Sequence, residues 1–361
     1  MKRLIGSGLG LAVLLGSAFA RPPQDGPARA RGDFDGETRR AVDRGLAWLA
    51  SRQNADRNSP DYGSWKNRVG YKLYDDYYGE DGASVDVTAL ACMAFVSAGH
   101  VPGRGKHGVV VERGVDFLLR SVREEDGYVT RNGSRMYSHA FATLFLAEIY
   151  GMTRRPELKA KLKQAVILIV NAQNKEGGWR YQPIPVDADL SVTVSTLQAL
   201  RAARNVGISV PLDTIDRAQK YVKRCATRYG FTYQSSNDYH FNDTRISFAL
   251  TACGIVSLYS SGEYHSKEIR DSLKALPSLR RSPSFVPGKL HYYYGHYYAA
   301  QAMYLAGGDY WGSYYPSVRG EILRMQRGDG SWEDDVGQAY ATAMACIILQ
   351  MPCEQLPIFQ K

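Results

Sequence analysis

Gln173-Asn174-Lys175-Glu176-Gly177-Gly178-Trp179, and again Gln326-Arg327-Gly328-Asp329-Gly330-Ser331-Trp332, set a glutamine four residues before a glycine and an aromatic two residues after it. Glycine takes the left-handed conformation that ends a helix, so the aromatic is expected to pack beneath the turn against the neighbouring copy. The glutamine is expected to bond backbone groups across the joint. Partial copies stand at Gly63-Ser64-Trp65, Gly127-Tyr128 and Gly230-Phe231, with an eroded one near Phe285. The period is about 50 residues, which reads as six copies of one supersecondary unit.

Each copy pairs two kinds of helix. The first is amphipathic, as in Leu162, Ala165, Val166 and Ile169, which follow the spacing of one buried face. The second is apolar or small on nearly every side: Val85 to Ala98, His139 to Ile149, Ser191 to Ala203, Ile246 to Tyr259, Tyr293 to Leu305 and Gln338 to Gln350. A helix without a polar face belongs inside other helices. These six are therefore expected to form an inner ring, and the amphipathic six an outer one.

The 361 residues, 44% hydrophobic and 22% charged, are enough for one large core. Lys2 and Arg3 precede an apolar run from Leu4 to Leu15 and a small-x-small ending at Ala18-Phe19-Ala20, the pattern of a secretory signal peptide over 1-20. Arg21 to Gly36, rich in Pro, Gly and Arg, reads as a disordered leader, and 37-361 as the repeat domain. An exported protein, periplasmic or extracellular, is the expectation, which separates it from nucleic acid. No stretch has the ~20 uncharged residues of a transmembrane helix. Without Lys2 and Arg3 the formal charge falls from +9 to +7, and the basic residues are scattered along outer-helix segments such as Lys159 to Lys163. The five cysteines, Cys92, Cys225, Cys253, Cys346 and Cys353, form no CxxC pair and read as small buried hydrophobes. Phosphate loops, HExxH, Gly-x-Ser-x-Gly and dinucleotide fingerprints are absent from the sequence.

Gln-x-x-x-Gly-x-Trp is the repeat motif of squalene-hopene and oxidosqualene cyclases, related to the repeats of protein prenyltransferase β-subunits. Over roughly residues 37 to 361 the chain resembles the exported prenyltransferase/squalene-oxidase repeat proteins of bacteria. That resemblance implies an all-α fold, a single (α/α)6 toroid of six helical hairpins around a central cavity. An open solenoid of the same hairpins is the alternative.

In toroids of this kind the cavity opens where the inner helices begin, which selects Asp86, His139, Asp187, Asp189, Asp243, Arg245, His296, Asp335 and Gln338 as cavity residues. Helix capping is the competing reading for each carboxylate. Val186-Asp187-Ala188-Asp189-Leu190-Ser191 resembles the Asp-x-Asp-Asp acid motif of the cyclases, whose middle Asp protonates an alkene. Asp189 takes that position, with Asp187 as the like-charged neighbour that helps hold it protonated; Leu190 stands where the motif has its last Asp. The zinc positions of the prenyltransferases correspond to Asp243, Arg245 and His296. Arginine in place of the thiolate repels a metal, so no metal or other cofactor is expected. The tyrosine run from Tyr292 to Tyr298 puts Tyr293 and Tyr297 toward the axis, to stack on a ligand or to fill space. The expectation is a binding toroid for a small polyprenoid or carbohydrate ligand or a protein partner. Acid catalysis by Asp189, or polysaccharide chemistry with paired carboxylates, is the enzymatic alternative.

Overall fold

The computed structural model describes residues 33–73, 76–235 and 245–360. The leader segments 1-20 and 21-32, and Asp243, lie outside the described residues. The amphipathic helices are α1 (Gly36–Arg52), α3 (Gly108–Arg120), α5 (Pro156–Asn171), α7 (Leu212–Arg224), α9 (Lys267–Arg280) and α11 (Gly308–Met325). The apolar ones are α2 (Val85–Ser97), α4 (Met136–Thr153), α6 (Leu190–Asn205), α8 (Phe248–Ser260), α10 (Tyr292–Ala306) and α12 (Gln338–Leu349). The apolar helices pack in chain order, α2 on α4 on α6 on α8 on α10 on α12, and α12 packs back on α2. The ring is closed. Each amphipathic helix lies outside it against the apolar helix of the preceding copy, with α3 on α2 and α1 on α12.

The turn chemistry explains the joint. Trp179 Nε1–H donates to Ile169 O at 2.7 Å, capping the last turn of α5, and its backbone N–H donates to Thr193 Oγ1 in the first turn of α6. Trp65 and Trp332 make the same pair of bonds, to Leu49 O and Thr88, and to Ile322 O and Thr342. The indole therefore locks the two helices of its own copy. The glutamine is the link between copies: Gln173 Nε2 donates to Gly177 O and to Thr214 O of α7, at 2.8 and 2.9 Å. Gln326 does the same to Gly330 O and to Ala41 O of α1, which carries the repeat joint across the seam where the chain's two ends meet. Gln53 repeats it with Gly63 O and Val110 O, although ten residues rather than four separate it from its glycine. Gly177 has φ of 98°. A Cβ there would also stand 2.3 Å from Arg217 O of the next copy, so only glycine lets the two backbones meet.

Outer-helix glycines make room for inner-helix sulfurs. A Cβ on Gly114 would lie 2.3 Å from Cys92 Sγ, and one on Gly45 would lie 2.7 Å from Cys346 Sγ. Overpacking of this kind costs about 1–3 kcal/mol. Gly114→Ala is expected to lower stability by that amount in urea unfolding, and Cys92→Ala to restore most of it in the double variant. Independent, additive losses would refute the contact.

The all-α fold carries one added element. Between α1 and α2 the chain forms an antiparallel hairpin, β1 (Trp65–Leu73) and β2 (Asp76–Ser84). Trp65, Asn67, Val69, Tyr71 and Leu73 alternate with polar or small residues, the period-2 signal of a strand. A minor pair, β3 (Ala226–Thr227) with β4 (Gly230–Phe231), tightens the fourth turn. After α12 the chain folds beneath the far end of the ring through single turns at Met351–Cys353 and Pro357–Phe359, where Leu356, Ile358 and Phe359 are buried.

Candidate site at the Asp189 mouth

Asp189 owes its position to the repeat turn. Its backbone N–H donates to Trp179 O at 2.9 Å, and its Oδ1 caps α6 by accepting from Val192 N at 2.8 Å and from Ser191 Oγ at 2.6 Å. Ser84 and Ser247 cap α2 and α8 in the same way with one oxygen. Capping thus accounts for Oδ1 and leaves Oδ2 unexplained. Oδ2 is buried and faces Arg180 Nε at 3.9 Å, and the Tyr233 hydroxyl also bears on the carboxyl. Burial pushes the carboxyl up to about 6, against the pull of the Ser191 and Val192 bonds and of Arg180.

Asp187 does not supply the expected like charge. It is partly exposed and pairs with Arg180 Nη1 at 2.7 Å, so it anchors the guanidinium instead.

Four partly exposed phenols converge on this acid. Tyr137 OH donates to Ser191 Oγ, Tyr181 OH meets Tyr233 OH, and Tyr294 OH reaches across the ring from α10 to Ser191 O at 2.9 Å. Burial and the Asp189 charge raise the phenols of Tyr137, Tyr181 and Tyr233 above the usual tyrosine range. The Arg180 and Arg135 guanidiniums lie 5.3 and 5.8 Å from the Tyr181 ring centre. No sequence motif names Tyr137, Tyr181, Tyr233 or Arg180, which come from three different copies. The one shared signal is that Tyr181 and Tyr233 each stand two residues after a turn aromatic, Trp179 and Phe231.

Below the mouth, α10 crosses the lumen. Tyr297 packs on Phe141 of α4 and on Phe359 of the C-terminal turn, with ring centres 6.1 Å apart in both pairs. One turn further, Gln198 of α6 bonds Gln301 of α10. Tyr297 therefore fills space between facing helices, and the cavity foreseen along the axis is occupied at this level by side chains. Tyr293 turns away. It is fully buried beside Tyr292 and within the field of Asp334.

The histidines also turn away from the mouth. His139 stands where the other copies have Thr88, Thr193, Thr251 and Thr342: its Nδ1 accepts the backbone N–H of Val129 at 3.0 Å, and Nε2 donates to Ala165 O at 3.1 Å. That pairing fixes a neutral tautomer, and burial takes the imidazole down to about 4. His296 is boxed by Phe248, Phe285 and Tyr292, with Nδ1 on Tyr314 OH at 2.8 Å, and burial holds it neutral. Both lie between the rings of helices, so neither joins Asp189.

Of the remaining expected residues, Asp86 accepts from Val87 N at 3.1 Å in the first turn of α2, a capping role. Gln338 opens α12 and is partly exposed, and Arg245 is exposed just before the Thr232–Ile246 bridge. Asp335 is tied to Leu290 N at 3.0 Å and to Lys289. Its neighbour Asp334 is the buried carboxyl: Oδ1 accepts from Val336 and Gly337, Oδ2 has no partner, and burial lifts it to about 7. Among the described residues no three His, Cys, Asp or Glu gather as a metal cage, and no helix is long and apolar enough to cross a membrane.

Solved structures share this architecture. A type II terpene cyclase, MstE from Scytonema, determined with geranylgeranyl dihydroxybenzoate, matches 91% of this chain and 99% of its own at 13% identity and a TM-score of 0.58. The fold is that of an (α/α)6 toroid. An α-1,6-mannanase of Salegentibacter, determined as an inactive variant with α-1,6-mannotetrose, matches 89% of this chain and all of its own at 9% identity and a TM-score of 0.65. The cellobiose 2-epimerase of Spirochaeta thermophila covers 92% and 99% at 13% identity and a TM-score of 0.65. No family model and no curated protein sequence matches the chain. At such identities the toroid is shared and the chemistry is not thereby assigned.

Proposed function

We propose that the protein is an exported toroid that binds the end of a neutral, polar glycan at the Asp189 mouth. The observation that carries this reading is the division of the ring's interior. The axis is occupied by Tyr297, Phe141, Phe359 and the Gln198–Gln301 bond, whereas partly exposed phenols, two guanidiniums and a carboxyl meet at the mouth. A polyprenoid needs a deep apolar pocket. A sugar needs an aromatic face to stack on and fixed polar atoms at its rim, which Tyr181, Tyr233 and Arg180 supply above the buried Asp189. The shared fold with a mannanase and a cellobiose epimerase agrees with this class of ligand. Export rests on the leader pattern of residues 1-20.

Isothermal titration with α-1,6-manno- and cello-oligosaccharides tests the reading. Tyr181→Ala is expected to weaken the better series about tenfold, the worth of one aromatic face. Wild-type affinity in that variant would remove the proposal.

A second reading has its own support, since burial raises the Asp189 carboxyl to about 6, which suits a general acid. Asp189→Asn keeps the cap through its amide oxygen and removes the proton. Under the binding reading the variant still takes glycan, and the pH dependence of affinity near pH 6 disappears. Under the acid reading any turnover of a polyprenoid or glycan by the wild type is abolished while binding persists.

A further inference from the structure

A groove of ≈ 830 Å³ runs between the β1–β2 hairpin and the 131–135 loop, within the size range of ligand sites. It adjoins the mouth. Arg135 lines the groove and also stands over the Tyr181 ring, and the next residue, Met136, donates its N–H to Tyr181 O at 2.9 Å. Both walls are fixed to each other: Asn132 Nδ2 donates to Ala83 O of β2 at 3.0 Å, and Arg131 pairs with Asp61 at 2.8 Å.

The hairpin wall has an unusual rung. Gly70 pairs with Gly79, so neither strand carries a side chain there, and the backbone lies open to the groove. Added bulk is not tolerated, because a Cβ on Gly70 would lie 1.8 Å from Tyr78 O. Exposed Tyr78, Glu80 and Asp81 of β2 flank the bare rung, and exposed Lys66 lines the groove four residues along β1. With Asp61 neutralised by Arg131, the groove's charges among the described residues are Lys66 and Arg135 against Glu80 and Asp81. Their sum is zero, which disfavours an anionic polymer and suits a ligand that both gives and accepts hydrogen bonds.

We propose that this groove takes the continuing residues of a linear, neutral oligosaccharide whose end sits at the mouth, so that the site reads chain length. The inference rests on the glycan reading of the mouth. The bare rung lets a sugar ring approach main-chain N–H and C=O groups, and Tyr78 and the flanking charges hold its hydroxyls. Titration of the same two oligosaccharide series from one to six residues is the test. Affinity is expected to rise at least tenfold between the disaccharide and the pentasaccharide of the better series. The exposed pair Lys66→Ala with Glu80→Ala is expected to erase that rise and leave disaccharide affinity within twofold. Disaccharide binding with no gain on lengthening, or a gain that survives the double variant, overturns the groove proposal and leaves the mouth intact. Failure of both series at every length sinks the mouth reading and the groove with it.

Discussion

Trp332→Ala is expected to cost the fold about 3–5 kcal/mol, the range for deleting a fully buried large aromatic side chain. Trp332 has no exposed surface, and its indole N–H caps α11 at Ile322 O. Its ring also reaches the next copy: a Cβ on Gly45 of α1 would come within 2.8 Å of the indole Cζ3. The substitution therefore opens a cavity and orphans a carbonyl at the seam that closes the ring. Gln326→Ala removes the two bonds to Gly330 O and Ala41 O without a comparable cavity, and about 1–2 kcal/mol is expected from it. Urea midpoints for the two variants give the comparison. A loss at Trp332 no larger than that at Gln326 would mean that the seam is held by something other than indole packing.

Glu148→Gln is expected to stabilise the protein at alkaline pH. Glu148 lies on α4 at the far end of the ring, buried, with Oε2 unpartnered; it accepts from the backbone N–H of Ile358 and faces Arg201 of α6 and Tyr297 of α10. Burial outweighs that bond and the arginine, and lifts the carboxyl up to about 8. The folded form thus holds a proton that the unfolded chain releases near its ordinary value of 4.5. Stability from this group is complete below about pH 4.5 and declines as pH rises to about 8, at about 1.4 kcal/mol per pH step. Asp189 and Asp334 act with the same sign over lower windows, ending near 6 and 7. His139 acts oppositely: the unfolded imidazole takes a proton that the buried one refuses, so its contribution is lost as pH falls from about 6.5 to 4. The glutamine variant keeps the acceptor for Ile358 and removes the ionisation. Its advantage over the parent is expected to be about 3–5 kcal/mol at pH 9 and close to zero at pH 4.5. Equal urea midpoints of the two proteins at both pH values would refute a proton on Glu148.

Local chemistry is what the sequence displays well. Gly177 and Trp179 act within a few residues of themselves, through a positive φ and a cap on the adjacent helix, so the joint was readable at a glance. Gln53 makes the same bonds as Gln173 but escaped the pattern, because six extra residues in its turn break the spacing while leaving the geometry. His139 and Asp189 both stand near the start of an inner helix. Four residues along a helix turn a side chain onto another level, however, and His139 shares its place with the threonines under the turns. Asp334 and Asp335 are adjacent letters, and only the loop's path decides which one is buried. Asp189 was singled out by its motif. What surrounds it was not, since Tyr137, Tyr181, Tyr233 and Tyr294 meet only after four copies have come together.

The seam between α12 and α1 makes assembly unequal around the ring. Five junctions join segments that follow one another along the chain and can form as soon as each is present. The sixth must recruit partners nearly 300 positions apart, as in the bond from Gln326 to Ala41, and such distant pairing forms slowly. Until that seam forms, the faces of α1 and α12 that meet there stay uncovered. The vulnerable moment in this protein's life is therefore the interval before its two ends meet, when those apolar faces are free to pair with another molecule.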